Sequence, residues 1–303
     1  MTQHNGAGIA NADLPGLFQA TDAASSRAQR MYLRLVALDL GVMIAGAILG
    51  AVSVSGVDLK QELALASAVA IAIGFALTLA LQAQHLSATW YDGRAVAESA
   101  KTTAWRYMMC AEPYVRGMSE ADADQTLTSA LNSFLRERKG LGGSLSTGLI
   151  ALPQVSDKMR AIRLLPYADR KSLYVESRLG DQRLWYAGRA EHNAGRARFV
   201  FVLVLVSQAL ALIAAISVVR WPDTGINLSG VFAALAAALI AWTQLKKYEE
   251  LATMYGLTAQ ELRSVEDQAR HVTGEERFAQ FVLAAESAIS REHALWVTRR
   301  EQR

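Results

Sequence analysis

Four long apolar stretches stand out in the pattern of hydrophobic and polar positions along this 303-residue chain. The third of them, residues 199–219, reads FVFVLVLVSQALALIAAISVV and contains no charged residue. A helix rises about 1.5 Å per residue, so a stretch of this length covers the roughly 30 Å hydrocarbon core of a bilayer. A buried helix of a large soluble protein is the alternative, but the three similar stretches favour membrane spans.

The four predicted spans are arranged as two pairs, each joined by a short turn. They occupy about residues 35–57, 63–83, 199–219 and 226–244. Polar sequence with helical spacing adjoins each pair without strong breakers, and the chain has only five prolines. We therefore expect an all-α membrane protein in which four transmembrane helices form two hairpins with long cytoplasmic helical extensions.

Two of these helices are expected to run well beyond the membrane. The second span continues without a break, which predicts one long helix from about Leu63 to Glu112. The fourth span is expected to continue to Tyr255, where Gly256 breaks the helix.

Small residues line two of the predicted spans. Gly46 and Gly50 form a GxxxG step in the first span. Ala233, Ala237 and Ala241 place small side chains on one face of the fourth. Both patterns allow another helix to approach closely.

The polar segments divide the chain into a tail, two membrane units and a linker. Residues 1–22 are predicted to be a flexible tail, 23–139 the first two-helix membrane unit and 156–303 the second. Between them, 140–155 is rich in glycine and serine, which is typical of a linker. A functional gating loop or a small hairpin is the alternative for this stretch. The shared plan of the two halves indicates an internal parallel repeat.

Basic residues flank the spans on one side, which predicts their orientation. Arg27, Arg30 and Arg34 precede the first span, His85 and Arg94 follow the second, Arg189, Arg196 and Arg198 precede the third, and Lys246 and Lys247 follow the fourth. Both termini and the middle region are therefore expected in the cytoplasm. Residues 1–26 lack the positive start and apolar core of a signal peptide, so we expect the first span to direct insertion.

We find no catalytic, metal-binding or nucleic-acid-binding pattern in the sequence. A net charge of +3 is too small to indicate nucleic acid as a partner. Cys110 is the only cysteine, which excludes a disulfide framework and a cysteine zinc site. The five histidines lie far apart, and the HExxH, GxSxG and phosphate-loop motifs are absent. We therefore expect no enzyme activity, no cofactor and no metal.

Two polar residues inside the spans are candidates for a pore or gate. Asp39 lies about one turn inside the first span, and a membrane carboxylate normally faces protein or water. It either sits at the interface beside Arg34 or lines a path for cations. Gln208 lies in the middle of the third span, where it either bonds to a neighbouring helix or lines a pore. One four-helix chain is too small to enclose a wide channel, so a pore predicts a homo-oligomer in membrane lipid.

Three charged and aromatic runs carry a family resemblance. WYDGRAVAESAKTTAWRYMMCAEPY follows the first hairpin, RLGDQRLWYAGRAEHN precedes the second, and AAESAISREHALWVTRR lies near the C-terminus. From about Asp13 to Arg300 the chain resembles two tandem units of the SLATT family, the SMODS and SLOG-associating two-transmembrane effector domains. The resemblance implies a bacterial inner-membrane protein that forms pores and acts downstream of a nucleotide-synthesising or nucleotide-sensing partner.

The resemblance also points to a set of aromatic, charged and polar positions. In the first unit these are Trp90, Arg94, Glu98, Trp105, Arg106 and Tyr114, and in the second Trp185, Tyr186, Arg189, Asn193, Glu286, Glu292 and Trp296. Aromatic residues at helical spacing usually pack a helix bundle, and Arg–Glu pairs usually lie on its surface. Direct gating is the alternative role for these positions.

The residues and the resemblance together predict an oligomeric pore-forming effector of an antiphage or other conflict system. Such an effector kills or arrests the cell by permeabilising its membrane. A non-conducting membrane scaffold that recruits partners is the alternative; it predicts no currents, and a function that survives replacement of Asp39 and Gln208 by Leu. A transporter is disfavoured, because the spans are few and no helix is broken within the membrane.

Overall fold

The computed structural model describes residues 8–53, 59–221 and 228–301, with side chains for 8–53, 59–149, 151–221 and 228–290. Over these ranges the chain is helical, and no strand is present. The helices are α1 (Gly16–Ser53), α2 (Lys60–Ala83), α3 (Leu86–Met108), α4 (Glu120–Glu137), α5 (Thr147–Ile150), α6 (Asp157–Leu164), α7 (Tyr167–Tyr174), α8 (Asp181–Arg220), α9 (Ser229–Lys246), α10 (Tyr248–Ala269) and α11 (Glu275–Glu301). A π-helical segment, Val175–Gly180, joins α7 to α8.

Four helical runs in the described chain are long and apolar enough to cross a membrane. They are Gly16–Ser53, Lys60–Met108, Tyr167–Arg220 and Ser229–Ala269. Large apolar side chains on them are exposed, among them Phe75 at 67% and Ile213 at 59%. Exposed apolar surface of this kind is stable only in lipid or against another protein. The prediction of an all-α membrane protein with four spans is confirmed.

The chain forms two compact units that do not follow its two sequence halves. The first, here called the peripheral unit, consists of Met1–Arg30, Leu86–Trp185 and Thr258–Arg303. The second, the membrane unit, consists of Met31–His85 and Tyr186–Leu257 and contains the four predicted spans. Each unit therefore draws on both halves of the sequence.

Within the membrane unit, α1 and α2 pack closely along the GxxxG step. Ser67 Oγ donates a hydrogen bond of 2.8 Å to the carbonyl of Gly46. A Cβ built on Gly46 would lie 3.5 Å from the Cβ of Ala70, which is an ordinary van der Waals distance, so the two helices are in contact along this step. The first hairpin is thus confirmed, together with the small-residue contact expected for it.

The second hairpin packs through larger side chains near one end of its spans. Ala197 and Val200 of α8 and Tyr248 of α10 are buried together, and Val204, Leu239 and Trp242 pack against them. The Trp242 indole donates a hydrogen bond of 3.3 Å to the Tyr248 hydroxyl oxygen, which gives the indole N–H an acceptor.

The prediction of a flexible tail over 1–22 is wrong from Gly16 onward. Helix α1 begins at Gly16, and Leu17 and Phe18 are at most 5% exposed. The Gly16 amide donates to the Pro153 carbonyl at 3.0 Å, and the Leu17 amide to Gln154 Oε1 at 3.1 Å. The apolar residues of this segment are buried in the peripheral unit, which offsets the entropy of ordering it.

The predicted linker at 140–155 also takes part in these contacts and contains regular structure. This stretch contains the short 3-10 helix Lys139–Ser144 and helix α5, and Leu141 is 1% exposed. A Cβ on Gly16 would lie only 2.6 Å from the carbonyl oxygen of Leu152. The stretch is therefore a packed part of the peripheral unit, because it covers the start of α1.

The two long exit helices differ from their predicted bounds. The expected single helix 63–112 is interrupted at His85, whose φ of 45° ends α2 before α3 begins. After the fourth span the interruption falls at Lys247, with φ 50°, and α10 runs through Gly256 without a break. Left-handed residues other than glycine are uncommon, so both interruptions mark defined corners of the backbone.

Candidate functional site

A buried ion pair lies at the centre of the peripheral unit. Glu286 of α11 is fully buried and Arg178 of the π-helical segment is 1% exposed. The guanidinium donates from Nε to Glu286 Oε1 at 2.9 Å and from Nη2 to Oε2 at 2.8 Å. Such a two-point contact is the strongest geometry available to an arginine and a carboxylate.

Aromatic side chains complete this cluster. The Tyr174 hydroxyl donates to Glu286 Oε1 at 3.0 Å, and the Tyr174 ring meets Trp105 edge-on at 5.8 Å. The guanidinium of Arg178 lies over the Trp105 ring, 6.0 Å from its centroid. Trp105 and Glu286, which the sequence places in separate units, are thus brought together in one cluster.

The cluster retains two polar groups without an acceptor. Among the described residues, neither Arg178 Nη1 nor Trp105 Nε1 has a hydrogen-bond partner, although both are buried. An unsatisfied buried donor costs about 1–3 kcal/mol, and more when it is charged. The unsatisfied donors therefore contribute an unfavourable free energy beside the Arg178–Glu286 ion pair.

Burial also shifts the protonation of neighbouring groups. Burial and then the charge of Arg178 lower the pKa of Lys101, on α3, to about 8. Burial and then the negative charge of Glu286 raise the pKa of the Tyr174 hydroxyl well above its ordinary value. Tyr174 consequently stays a neutral donor to Glu286 over the physiological range.

The π-helical segment positions Arg178. It spans Val175–Gly180 and leads directly into α8, the helix that contains the third span. A Cβ on Gly180 would lie 3.3 Å from the Val175 carbonyl, so glycine suits the widened turn. Single π turns are frequent at functional sites, because they aim a side chain that a regular helix would turn elsewhere.

Three of the positions predicted in the first unit form the edge between α1 and α3. Arg94 bridges Glu98 at 2.6 Å and Asp22 at 3.4 Å. Trp90 is 7% exposed and stacks on Tyr91 at 4.7 Å. These contacts fit the packing role expected for these positions.

Two more of the first set close the C-terminal end of α3. Arg106 Nε donates to the Glu112 carbonyl at 2.8 Å. Tyr114 is 1% exposed and meets Tyr107 edge-on at 5.7 Å, and burial raises the pKa of Tyr114 to about 12. Both residues stabilise the turn that follows the helix.

The second set is dispersed along α8 and α11. Tyr186 is 2% exposed and packs on Tyr255 at 5.5 Å, while Trp185 is 39% exposed. Asn193 donates to the Arg189 carbonyl at 2.7 Å. The side chains of Glu292 and Trp296 lie outside the described residues.

Three buried arginines of the peripheral unit were not singled out by the sequence. Besides Arg178, these are Arg163, which donates to the carbonyls of Tyr107, Tyr114 and Val115, and Arg170, which donates to the Met109 carbonyl and to Glu275. Arg163 and Arg170 bind carbonyls left free at the end of α3. Their seven-residue spacing is the only signal that the sequence offered for them.

The two polar residues of the spans occupy different environments. Asp39 is half-buried, and its Oδ1 lies 3.5 Å from where a Cβ on Gly74 of α2 would stand. No hydrogen bond or ion pair of Asp39, including one to Arg34, is found in the described part of the chain. Gln208 is exposed, whereas its neighbour Ser207 is 4% exposed and faces the helices of the same chain.

No group of three or more metal-ligating side chains occurs within residues 8–53, 59–149, 151–221 and 228–290. The buried cluster instead ties the π-helical segment that leads into α8 to α11 and α3.

Four spans and an all-helical peripheral unit define a multi-pass membrane protein. Residues 15–171 match the family model of SMODS and SLOG-associating 2TM effector domain 3, and residues 174–296 match that of domain 1. The chain belongs to the SLATT family and contains two of its domains in tandem. Comparison with curated proteins and with solved structures found no match.

The border between the two matched domains passes through the buried cluster. Trp105 belongs to the first domain, and Tyr174, Arg178 and Glu286 belong to the second. The border at 171–174 lies C-terminal to the predicted linker at 140–155. The core of the peripheral unit is therefore shared by both domains.

Proposed function

We propose that the protein is an oligomeric, membrane-permeabilising effector of a bacterial nucleotide-linked conflict system. We further propose that it lies in the inner membrane, with both termini in the cytoplasm. Both matched domains are named as two-transmembrane effector domains that associate with SMODS and SLOG. Two exposed surfaces on the spans of a single chain support the proposal of an oligomeric pore. One is polar, and the other consists of small residues.

Gln208 supplies the polar surface. It lies near the middle of the third span and is exposed in the single chain. A polar amide facing hydrocarbon costs several kcal/mol unless it finds a hydrogen-bond partner. A second copy or a water-filled lumen supplies that partner, and lipid does not.

The fourth span supplies the small-residue surface. Ala233, Ala237 and Ala241 are exposed, whereas Ala236 between them is 4% exposed and faces the same chain. Small residues at four-residue spacing allow two membrane helices to pack at close range. This exposed face therefore suits contact with another copy.

Asp39 is the candidate for ion selection. It is a carboxylate at the start of a span, without an ion pair in the described chain. Such a residue is costly in a membrane and usually lines a path for water or ions. In an oligomer, a ring of these carboxylates would favour cations.

The peripheral unit is the part on which a partner protein would act. Its buried cluster joins the start of α8 to α11, so a signal that moves α11 reaches the third span through a continuous helix. A nucleotide-synthesising or nucleotide-sensing partner would supply that signal. The protein itself is proposed to have no enzymatic activity.

Currents across a planar bilayer test the proposal. The purified full chain should produce cation-selective currents, and Asp39→Asn should lower the preference for cations without abolishing the currents. Asp169→Asn is the matched control, because Asp169 is an exposed carboxylate of α7 in the peripheral unit. If Asp39→Asn left the preference for cations unchanged, Asp39 would not line the ion path.

A non-conducting scaffold is the second candidate, favoured by the size of the peripheral unit, which comprises more than half of the chain. It predicts no currents from any preparation of the protein, with or without a partner. It also predicts that function in cells survives the double replacement Asp39→Leu and Gln208→Leu.

A further inference from the structure

A shallow groove runs along one face of α8 where the third span begins. It has a volume of about 460 Å³ and is lined by Glu191, His192, Gly195, Arg196 and Phe199. Nothing lies within 4 Å of where a Cβ on Gly195 would stand, so the glycine forms a notch in this face. The groove joins a polar end to the first apolar residue of the span.

Two arginines at the start of the third span differ from most arginines of the peripheral unit. Arg196 and Arg198 are exposed, and neither has a hydrogen bond or ion pair within the part of the chain that the structure describes. By contrast, ion pairs hold Arg94, Arg138, Arg160 and Arg183. Arg196 is thus a positive charge in the groove without a partner in the described chain. Arg198 lies two residues further on, about 200° around the helix, and faces away from the groove.

The depth of these arginines matches the headgroup layer of a bilayer. The hydrocarbon core is about 30 Å thick and the headgroups bring the total to about 40–45 Å, which leaves roughly 5–7 Å for each headgroup layer. If hydrocarbon begins at Phe199, Arg198 and Arg196 lie about 1.5 and 4.5 Å above it along the helix axis. Glu191 lies about 12 Å above it, beyond that layer and in water.

We propose that the groove at Arg196 binds an anionic phospholipid, with the phosphate at Arg196 and an acyl chain along Phe199. Charge complementarity selects an anionic headgroup, because the only carboxylate of the groove stands outside the headgroup layer. Phe199 is 56% exposed and continues the groove into the apolar surface of the span, which suits an acyl chain. The proposal does not depend on pore formation.

The experiment compares thermal stability of the full chain in two kinds of lipid nanodisc. One kind contains phosphatidylcholine alone, and the other an equal mixture of phosphatidylcholine and phosphatidylglycerol. A ligand that binds only the folded state raises the melting temperature. The wild type should melt at a higher temperature in the mixed discs, and Arg196→Gln should lose a measurable part of that increase.

Two further variants isolate the site. The control Arg198→Gln removes the same charge at nearly the same depth, but from the opposite face of α8, and should keep the full increase. Arg196→Lys retains the charge and should keep most of the increase. If Arg196→Gln does not fold, Arg196→Met replaces it and should lose the same part of the increase.

Three outcomes would overturn the proposal. The first is equal melting temperatures of the wild type in both kinds of disc. The second is an Arg196→Gln variant that gains as much from phosphatidylglycerol as Arg198→Gln does. The third is a wild-type increase reproduced by inorganic phosphate in phosphatidylcholine discs, since that would assign the site to free phosphate and not to a lipid.

Discussion

At the scale of single residues, the pairing of Arg178 with Glu286 dominates the energetics of the peripheral unit. Both side chains are at most 1% exposed, so loss of one partner leaves the other as a buried, unpaired charge. We predict that Glu286→Leu destabilises the protein by about 3–5 kcal/mol. Thermal or denaturant unfolding of the purified protein in detergent measures the difference.

Two comparisons make this prediction specific. Glu276→Leu, at an exposed position of the same helix, should change stability by no more than about 0.5 kcal/mol. The double variant Arg178→Met and Glu286→Leu should recover much of the loss, because no unpaired charge remains. A double variant less stable than Glu286→Leu would show that the cost does not arise from the stranded arginine.

Lys101 gives a prediction about pH. Its pKa is lowered to about 8 in the folded protein from 10.5, by burial first and then by Arg178. Between these values the unfolded chain binds the proton more strongly, so stability from this group rises with pH from about 8 to 10.5 and is lowest below 8. Lys101→Met should therefore stabilise the protein by up to about 3 kcal/mol at pH 7, at about 1.4 kcal/mol for each pKa unit, and should flatten this rise.

The stability difference between Lys101→Met and wild type, followed from pH 7 to 10.5, measures this effect. Lys158→Met provides the control, because Lys158 is exposed and should leave the pH dependence unchanged. A constant difference across the range would mean that Lys101 is not perturbed by its surroundings.

Sequence reasoning at this scale identified Trp105 and Glu286 but not the residues that join them. Arg178 and Glu286 are 108 positions apart, and no local pattern links them. The pairing depends on tertiary packing of α11 against α3, and a charged residue in a helical pattern normally indicates a solvated face. Arg163 and Arg170 were missed for the same reason.

At the scale of helices, replacing a glycine by alanine should change the stability of the protein in a direction that depends on the surroundings of that glycine. Gly16→Ala should destabilise the protein, because its Cβ would meet the Leu152 carbonyl at 2.6 Å. Gly256→Ala should stabilise it by about 1 kcal/mol, because Gly256 lies inside α10 with nothing within 4 Å of its Cβ position. Melting temperatures of the two variants should shift in opposite directions.

A stabilising effect of Gly16→Ala would show that the start of α1 is not packed against the 149–153 segment. The pair of changes also tests the corrected helix bounds. If Gly256 were a break, as the sequence indicated, alanine there would force a helix that the native structure lacks and would lower the melting temperature.

The sequence predicted which segments form helices better than it predicted where those helices begin and end. The apolar spans are long and their pattern is unambiguous. In the structure, the Ser119 and Ser156 hydroxyls accept hydrogen bonds from backbone amides at the starts of α4 and α6. Gly256 did not end a helix, since intrinsic propensity is worth only about 1 kcal/mol and packing overrides it. The left-handed corners at His85 and Lys247 have no sequence signature, because neither residue is glycine or asparagine.

At the scale of the whole molecule, the division into units could not be anticipated from the linear plan. The sequence suggested two halves in series, and the two matched family domains follow one another in that way. In the folded chain, the peripheral unit takes residues from both domains, and so does the membrane unit. Long-range pairing of this kind leaves no trace in composition or spacing.

Cysteine cross-linking tests the oligomeric contact on the fourth span. Ala237→Cys should yield disulfide-linked dimers in oxidised membranes, because Ala237 lies on the exposed small-residue face. Ala236→Cys is the matched control on the next residue, and it should not cross-link, since Ala236 is 4% exposed. The native Cys110 is 1% exposed and should give no background. Equal cross-linking at both positions would argue against a specific interface.

Ion release from sealed vesicles, measured against the amount of protein per lipid, tests the central claim most directly. The account predicts release that rises more steeply than the protein density, because several copies must assemble, and Ala237→Leu should suppress it while the protein still inserts. Absence of release at every density, with the protein folded and inserted, would contradict the account.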